Sequence, residues 1–466
     1  MRDPKWTRMV RRRASPEGPR LENGSRVAVV GGGPAGSLFS FFVLKLAERA
    51  HIDLRVDVYE PRDFDQAGPA GCNMCGGIIS ESLVQLLAAE GVNLPPSVVQ
   101  RGIDSYVLHT DAGSIRIETP LHEKRIAAVH RGGGPRGLTA SRWKSFDDYL
   151  LKLAVGTGAR RVSERVSGVA WEDGRPQIEV REAAPRPYDL AVVASGVNAA
   201  SMKLSWESEL DYRPPRTTRT VLREYYIGEE TIEKWLGSSM HVFMLNIPRL
   251  DFAAMIPKGD YVSVCLLGDD VERGVLESFL TSAPVKRCMP PDWHAEHYSC
   301  RCTPRMNVRA ASRPFADRLV FIGDSGVTRL YKDGIGAAYR TAKAAATTAV
   351  FEGIGARDFE RHYWPACRAI DGDNALGRVV FGVKGLIERL GFARRAVVHM
   401  AAAEQRRQGH RRRMSTVLWD TFTGSAPYRE ILLRTLGPAF LTRFLWSTVV
   451  SLWGRGAGRA ERAEGR

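Results

Sequence analysis

The sequence predicts an α/β fold in three parts: a nucleotide-binding domain, a β-rich domain inserted into it, and a C-terminal helical region. Three observations predict this fold class. An apolar run near the start of the chain is followed by a glycine-rich turn, residues 216–267 are rich in strand-forming residues, and residues 356–466 have helical spacing with no strand signal.

The glycine-rich turn follows a short, mostly β-branched run, residues 27–30, which is typical of a fully buried strand. Gly31, Gly33 and Gly36 then form the pattern G-x-G-x-x-G. In this pattern the first glycine permits a tight turn, the second lets the backbone approach a pyrophosphate, and the third lets a helix pack on the strand. The helix, predicted over residues 34–49, directs its free amides at the phosphates. This stretch therefore predicts a Rossmann-like unit.

A second strand is predicted over residues 54–59, and it ends at Glu60, 24 residues after Gly36. An acidic side chain at this point is placed to accept hydrogen bonds from the ribose hydroxyls of an adenosine. The plainer interpretation is a glycine-rich turn followed by a surface glutamate. The strand and the acid together favour nucleotide binding.

The remaining elements follow from hydrophobic spacing and turn residues. Helices are predicted over residues 78–90, 142–154, 270–280 and 334–351, and strands over 103–119, 161–180, 189–194, 260–267 and 318–322. Residues 131–135 are predicted as a flexible turn, and Cys288 and residues 300–302 lie in a predicted loop. In the strand over 260–267, Val262, Val264 and Leu266 form a core face. Its mixed opposite face either lines a cavity or packs on neighbouring elements.

The predicted nucleotide-binding domain is discontinuous. It comprises residues 26–100, 140–200 and 303–355, and the inserted substrate domain comprises residues 101–139 and 201–302. Residues 1–25 are predicted as a flexible basic arm, and residues 356–466 as the helical region.

Charge is concentrated at the two ends of the 466-residue chain. The net charge is +15; residues 1–26 hold eight Lys/Arg against three acids, and residues 405–466 hold twelve Arg against four acids. The nearly neutral body argues against a nucleic-acid groove across the fold. No apolar run follows residues 11–13, RRR, so no secretory signal is predicted and we expect a cytoplasmic protein. The seven cysteines are then expected as thiols, metal ligands or redox groups rather than disulfides.

Three motifs carry a resemblance to a known family. The G-x-G-x-x-G, the strand and turn over residues 189–198, and a late Gly323-Asp324 together resemble the flavoproteins of the aromatic hydroxylase fold, over residues 26–350. Within that group the sequence is most similar to the geranylgeranyl reductase-like flavoproteins. That likeness rests on Cys75-Gly76-Gly77, on residues 256–260, IPKGD, and on residues 333–336, DGIG.

The resemblance implies FAD as the cofactor and a set of residues that bind it. Asp324 would hydrogen-bond the ribityl chain, and Arg142 lies in a pattern like that of the family's helix beside the cofactor. A helix that begins at Gly334 would present its partial positive charge to the reduced flavin, and glycines there would let the ring approach. The alternative is a glycine-rich start to an ordinary packing helix. The predicted cofactor-binding residues are Gly31, Gly33, Pro34, Ala35, Gly36, Glu60, Arg142, Gly323, Asp324, Gly334, Ile335, Gly336 and Ala337.

Two departures from the family patterns bear on the reaction. Ser195-Gly196 stands where the hydroxylases usually have Asp-Gly. This difference weakens the interpretation as a hydroxylase that docks NAD(P)H at this position. Residues 252–257, FAAMIP, lack the aromatic residues that usually precede Phe-Pro in the reductases. The substrate is therefore predicted only as apolar.

The cysteines have three interpretations. Cys72 and Cys75 form C-x-x-C and are predicted as catalytic thiols that exchange electrons with the flavin or protonate a substrate carbon. Alternatively, these two with Cys300 and Cys302 hold a metal or an iron–sulfur centre, leaving Cys288 spare. The third interpretation is plain structural thiols. No metal ligand is assigned.

The predicted function is an FAD-dependent oxidoreductase that reduces or desaturates carbon–carbon bonds in a prenyl- or lipid-like substrate, with NAD(P)H or a protein as electron donor. The alternatives are a flavin-dependent monooxygenase or halogenase, and a membrane-associated flavoprotein that passes electrons to quinone. A halogenase is expected to have a lysine near the flavin tunnel and a tryptophan-rich motif; no such tryptophan motif is found.

Residues 431–453 are apolar but are interrupted by Arg434, Pro438 and Arg443. Because the run is too short to span a bilayer, it is predicted as a helix at a membrane interface, with Trp446 and Trp453 inserted. The alternative is a domain-packing helix. The basic ends of the chain favour peripheral contact with the inner face of the membrane.

Overall fold

The computed structural model describes residues 18–118, 126–136, 143–181, 183–198, 211–406 and 412–463, with side chains up to residue 450. The mixed α/β fold predicted from the sequence is confirmed. Arg142 lies outside the described residues, as does the basic arm up to residue 17.

A six-stranded sheet forms the nucleotide-binding part. Its order is β20-β21-β12-β1-β2-β8, and all neighbouring pairs are parallel except β20 with β21. The central strands are short, apolar and almost fully buried, as expected where helices cover both faces of a sheet. The strands are β1 Ser25–Val30, β2 Leu54–Tyr59, β8 Arg160–Val162, β12 Leu190–Val193, β20 Phe315–Ala316 and β21 Leu319–Phe321.

Two long helices follow the glycine-rich turns and pack against each other. Helix α1, Pro34–Ala50, begins with proline at its first position and ends at His51 in the left-handed conformation. Its Phe42 meets Tyr339 of helix α7, Gly334–Phe351, edge to face at 5.3 Å. The other helices of this part are α2 Glu81–Ala89 and α3 Phe146–Gly156.

A seven-stranded sheet, β18-β14-β17-β16-β15-β5-β6, forms the inserted part. Its central strands β16 and β17 are buried on both faces because different layers cover each face. The strands are β5 Ser105–Thr110, β6 Gly113–Glu118, β14 Val221–Tyr226, β15 Ser239–Met244, β16 Leu250–Pro257, β17 Tyr261–Gly268 and β18 Cys300–Cys302. Three smaller sheets join β3 Ile78–Ile79, β4 Val99–Ile103 and β7 Ile126–Val129; β9 Val166–Glu172, β10 Arg175–Val180 and β11 Arg186–Pro187; and β13 Arg216–Arg219 and β19 Arg305–Arg309.

The two faces of the seven-stranded sheet belong to different cores. Val262, Val264 and Leu266 of β17 pack with helices α4 Glu229–Trp235, α5 Arg273–Leu280 and α6 Ala283–Lys286. Cys265 and Leu267 face the opposite way, in a core shared with the C-terminal helices. The core face predicted for this strand is therefore confirmed, and its mixed face is the one that turns toward the candidate site.

The C-terminal region is helical, as predicted. Its helices are α8 Ala356–Asp358, which continues through a π-helical turn at Phe359–Tyr363, α9 Trp364–Arg389, α10 Gly391–Gln405, α11 Arg413–Thr423, α12 Tyr428–Leu436 and α13 Pro438–Ala463. Gly437 separates the last two helices, where a single interfacial helix was predicted. Among the described residues, no helix combines the length and apolarity needed to cross a bilayer.

Three predicted elements differ in the structure. Residues 78–79 form a strand, and α2 begins only at Glu81 because the Ser80 hydroxyl accepts a hydrogen bond from the Leu83 N–H at 3.2 Å. Ser145 caps α3 in the same way, so that helix begins at Phe146 and not at residue 142. Helix α5 begins at Arg273 without an aspartate cap.

Two predicted loops are also more ordered than expected. Cys300–Cys302 form an edge strand that pairs with β14. The turn at 131–135 is tightly packed: a Cβ added to Gly133 would lie 2.1 Å from the Asp65 carbonyl oxygen. The glycines there permit a close approach between loops rather than flexibility.

Candidate active site

The first glycine-rich turn has the tight geometry that its spacing predicts. Gly31 has φ +108°, and a Cβ on it would lie 2.6 Å from the Ala194 carbonyl oxygen. A Cβ on Gly36 would lie 1.9 Å from the Gly31 carbonyl oxygen. Gly33 differs from both, because a Cβ there would meet only Asn73 Nδ2, at 3.6 Å. The first and third glycines therefore serve chain packing, and the second faces open space at the start of α1.

Glu60 is 2% exposed and bonds to its own chain. Its Oε2 accepts a hydrogen bond from the Gly32 N–H at 3.0 Å, and its Oε1 accepts from the Arg62 N–H at 3.0 Å and from Arg62 Nε at 3.1 Å. The carboxylate thus fixes the glycine-rich turn to the end of β2. Arg62 Nη2 donates a fourth hydrogen bond to Oε2 at 3.3 Å, so the chain's own groups already use the four acceptor sites of the carboxylate. Its contact with a ribose stays a prediction.

The late turn meets the first turn directly. Gly323 has φ +58°, and a Cβ on it would lie 2.6 Å from Ala35 Cβ. Asn307 Nδ2 donates to the Asp324 carbonyl oxygen at 2.8 Å, which fixes the short 3₁₀ turn at Gly323–Ser325. Burial raises the pKa of the Asp324 carboxyl, and the nearby charge of Arg131 opposes that shift. Gly323, Asp324, Ala35 and the first turn therefore converge at the carboxyl edge of the six-stranded sheet.

Packing explains why one residue in the first turn of α7, Gly336, is a glycine. A Cβ on Gly336 would lie 2.2 Å from Asp333 Oδ1, so this glycine makes room for the Asp333 carboxylate. That carboxylate accepts hydrogen bonds from Ser80 Oγ at 2.7 Å and from Arg329 and Arg340 at 3.0 Å. The contact of Gly336 with a flavin ring stays a prediction beside this packing role. Gly334, Ile335 and Ala337 lie in the same first turn.

Two buried polar atoms beside the late turn have no hydrogen-bond partner among the described residues: Ser195 Oγ, at the end of β12, and Asn307 Oδ1. The adjacent Gly196 N–H donates to Ser325 Oγ at 3.0 Å, which places Ser195 next to the turn. Burying unpaired polar atoms costs free energy unless a ligand satisfies them. Together with the open space at Gly33, these atoms fit a dinucleotide along this edge.

A chain of polar side chains leads from the first turn to the predicted catalytic cysteines. Arg62 bonds Asn73, and Asn73 bonds Asp147. Asp147, which is fully buried, accepts two hydrogen bonds of 2.9 Å from Arg131. Burial alone would lower the pKa of Arg131, but the neighbouring Asp147 and Cys75 raise it. Arg131 is therefore a permanent cation between the cofactor side and Cys75.

The segment that carries the cysteines, residues 72–77, lies directly against the seven-stranded sheet. Gly77 has φ +74°, and a Cβ there would lie 2.0 Å from the Val129 carbonyl oxygen and 3.3 Å from Lys258 Nζ. A Cβ on Gly76 would lie 3.0 Å from Cys265 Sγ. Both glycines are therefore required for the close approach of this segment, which we call the cysteine loop, to the ends of β16 and β17.

Lys258 follows β16 and is only 1% exposed. Its Nζ lies 3.3 Å from Glu224 Oε1 and 3.5 Å from His130 Nδ1, and both oxygens of Glu224 lie 2.8 Å from the Ser263 hydroxyl. Burial and the neighbouring Lys258 hold the pKa of His130 well below its usual value, so the imidazole is neutral at pH 7. The ion pair with Glu224 holds the ammonium group of Lys258 beside the cysteine loop.

The cysteines are free; Cys72 and Cys75 belong to this loop, and Cys265 lies against its Gly76. Burial raises the pKa of the Cys72 thiol, and it raises that of Cys302 to about 12. Both are therefore protonated at pH 7, which disfavours Cys72 as a thiolate nucleophile. Among the residues that the structure describes, Cys72, Cys75, Cys300 and Cys302 do not converge as metal ligands. The catalytic role of Cys72 and Cys75 stays a prediction.

Sequence reasoning missed the polar residues that connect the site: Asn73, Arg131, Asp147, Glu224 and Lys258. Lys258 had one readable signal, since a lysine directly after an apolar strand is unusual unless it is paired. Asp147 lies five residues after Arg142, in the helix predicted over 142–154, and was not singled out.

No protein-family model matches the chain, and no curated protein does. Solved structures of similar fold do exist. Halogenase PltM matches with a TM-score of 0.56 and 13% sequence identity over 94% of both chains, and a second structure of it, in complex with phloroglucinol and FAD, matches with a TM-score of 0.55. Flavin-dependent brominase Bmp2 matches with a TM-score of 0.56 and 14% identity over 81% of this chain and 93% of its own. FqzB matches at 0.52 and 15% identity over 96% of both chains. The chain therefore has the fold of the flavin-dependent halogenases.

Proposed function

We propose that this protein is an FAD-dependent oxidoreductase whose cysteine loop and adjoining seven-stranded sheet form the substrate side of the site. The observation that carries the proposal is the edge where Gly33 faces open space and where Ser195 Oγ and Asn307 Oδ1 are buried without partners among the described residues. The FAD complex of PltM, a protein of the same fold, supports the choice of dinucleotide.

Different residues would bind different parts of FAD. The amides at the start of α1, after Gly33, would bind the diphosphate, because helix N-termini attract anions. Glu60 would take the adenosine ribose, and Asp324 the ribityl chain. When bound, FAD supplies two-electron transfer and, with oxygen, oxygenating or halogenating chemistry.

The chain's own groups set the electrostatics on the substrate side. Arg131 holds Asp147 in place, lies beside Cys75 and contributes a charge that does not titrate near pH 7. Lys258, shielded from water, directs an ammonium group at the cysteine loop. Cys265 and the apolar side chains around it, such as Ile256, favour an apolar substrate.

Among flavin reactions we favour oxygen-dependent halogenation or hydroxylation of an electron-rich substrate. The fold shared with PltM and Bmp2 supports this, and so does Lys258, a lysine of the kind expected of a halogenase. Reduction of a prenyl double bond is the second candidate. The position of Cys75 beside Arg131 favours it, because a positioned thiol can protonate a substrate carbon.

A paired assay separates the two candidates. Full-length protein is supplied with FAD, NADPH, a flavin reductase, bromide and phloroglucinol in air, and the products are identified by mass spectrometry. A second arm supplies dithionite and geranylgeranyl diphosphate without oxygen. A brominated or hydroxylated product that persists in Cys75→Ser supports the first candidate. A saturated prenyl product that is lost in Cys75→Ser supports the second and contradicts the first.

We also propose that the protein contacts anionic membrane through α12 and α13. Six large apolar side chains are exposed on these helices: Leu433, Leu436, Leu441, Leu445, Trp446 and Val449. Trp446 is 68% exposed, and Arg443 on the same helix is also exposed. Aromatic side chains beside arginine suit the boundary between lipid headgroups and acyl chains.

A further inference from the structure

Three buried side chains with metal-ligating atoms meet on the far face of the seven-stranded sheet. His109 lies on β5, His241 on the neighbouring strand β15, and Cys288 just after α6. In the parallel register His109 pairs with Phe243, so His241, two residues earlier on β15, shares its face. Phe243 belongs to the core opposite the one that contains Cys265. The cluster is therefore separate from the candidate active site.

The ligand atoms point at one another. His109 Nε2 lies 3.0 Å from His241 Nδ1 and 3.5 Å from Cys288 Sγ, and the three atoms all lie within 4.8 Å of each other. Each side chain is at most 6% exposed. A tetrahedral zinc ion with its usual bond lengths separates two nitrogens by about 3.3 Å and a nitrogen from a sulfur by about 3.6 Å. The N–S separation of 3.5 Å agrees with this spacing, and the N–N separation of 3.0 Å is slightly shorter.

The surroundings hold the two rings in place. The other ring nitrogen of His109, Nδ1, lies 2.8 Å from the Ser114 hydroxyl on β6, and the backbone carbonyl of Leu236 accepts a hydrogen bond from the His241 ring. His109 also stacks on Phe243 at 4.6 Å. Metal-binding histidines usually have such a partner on the nitrogen that does not bind the metal, because it fixes the ring and the tautomer.

We propose that His109 Nε2, His241 Nδ1 and Cys288 Sγ bind one Zn²⁺ ion, with the fourth position left for water. Two imidazoles and a thiolate are a donor set that zinc prefers. The ion would fasten the segment after α6 to strands β5 and β15. On binding, the Cys288 thiol gives up the proton that it now donates to the Pro284 carbonyl oxygen at 3.2 Å, so one proton is released for each zinc bound.

A metal-free arrangement of the same atoms is the competing account. In it, His109 donates a proton from Nε2 to His241 Nδ1, and the Ser114 hydroxyl donates to His109 Nδ1. All groups are then satisfied without an ion, and the protein would have no affinity for zinc at this place.

The test uses full-length protein stripped with a chelator and titrated with Co²⁺ and then Zn²⁺. Bound Co²⁺ should show a thiolate charge-transfer band and the intense visible bands of tetrahedral coordination, and Zn²⁺ should displace it at about one equivalent per chain. His241→Gln and Cys288→Ser should lose the bands, while Ser114→Ala should weaken zinc binding about 10- to 100-fold.

Matched controls isolate the site. Cys367→Ser removes another buried free thiol, and His297→Gln removes an exposed histidine; both should keep wild-type binding. If a site variant fails to fold, slower alkylation of Cys288 in wild-type protein with zinc than without it tests the same contact. Wild-type protein without a Co²⁺ thiolate band would overturn the proposal, as would zinc binding that survives in Cys288→Ser.

Discussion

Replacing Lys258 by methionine is expected to destabilise the protein strongly, although the lysine is a single polar group in a large molecule. Its Nζ lies 3.3 Å from Glu224 Oε1, and the two side chains are 1% and 8% exposed. The variant leaves the Glu224 carboxylate buried with the Ser263 hydroxyl as its remaining hydrogen-bond partner among those described. Breaking a buried pair in this way costs about 3–5 kcal/mol.

A double-mutant cycle isolates the pair itself. Because Lys258→Met/Glu224→Gln removes both charges, it should be far less destabilised than the sum of the single variants, with a coupling of about 0.5–3 kcal/mol. The pair Arg273–Glu277 is the control: its atoms are closer, at 2.6 Å, but its side chains are 88% and 57% exposed.

Urea unfolding followed by tryptophan fluorescence measures both cycles. Burial rather than the N–O distance should determine the coupling energy. The exposed pair should therefore show no measurable coupling, even though its N–O distance is shorter. Equal couplings in the two cycles, or additive effects at Lys258 and Glu224, would refute this reasoning.

Three further predictions concern the cofactor, a buried lysine and the membrane. Asp324→Ala should weaken FAD binding about 10- to 150-fold without unfolding, because a charge-assisted hydrogen bond contributes about 1.5–3 kcal/mol. A flavin titration measures this, with the exposed Asp270→Ala as control. An unchanged affinity for FAD in Asp324→Ala would count against this role. Burial lowers the pKa of Lys332 to about 7, below its value in the unfolded chain, so the folded protein binds fewer protons than the unfolded chain between about pH 7 and 10. The free energy of unfolding should therefore rise with pH in this range, by up to about 1.4 kcal/mol per pH unit. Lys332→Met should lack that rise in urea titrations. Binding to anionic vesicles should weaken with salt and on Trp446→Glu, and equal sedimentation with neutral and anionic vesicles would refute the electrostatic part.

A point variant tests membrane binding better than a truncation of the C-terminal helices. Ile431 is fully buried and Phe440 is 7% exposed in a core that includes strands of the seven-stranded sheet. Deleting residues 431–466 would therefore remove part of that core, and any loss of function would have two causes. Trp446→Glu changes the exposed face alone.

The parts of the fold that sequence predicts are those with a local cause. Gly36 is required by a backbone contact within the turn, and the strand at 54–59 follows from the alternation of Leu54, Val56 and Val58 with other residues. The start of α2 was missed because a single side chain, that of Ser80, decides it.

The site is less predictable because its links span the chain. Asn73 bonds Asp147, which is bonded by Arg131, and Glu224 bonds Lys258; no spacing pattern relates such partners. The glycines before Pro135 predicted flexibility, and only the three-dimensional contact with Asp65 shows that they permit tight packing. A glycine pattern in the sequence indicates where the backbone needs a glycine. Only the residues packed against it show whether the reason is flexibility or close contact.

Flavin content of the purified protein tests the central claim most directly, with Gly33→Val as the decisive variant. A Cβ on Gly33 meets no protein atom closer than Asn73 Nδ2 at 3.6 Å, so the variant should fold, yet its side chain fills the space assigned to the diphosphate. Gly274→Val, at an open helix glycine, is the matched control. Absorbance spectra should show about one FAD per chain in wild type and in Gly274→Val, and none in folded Gly33→Val. Wild-type protein that takes up no FAD, or Gly33→Val that retains it fully, would contradict the account.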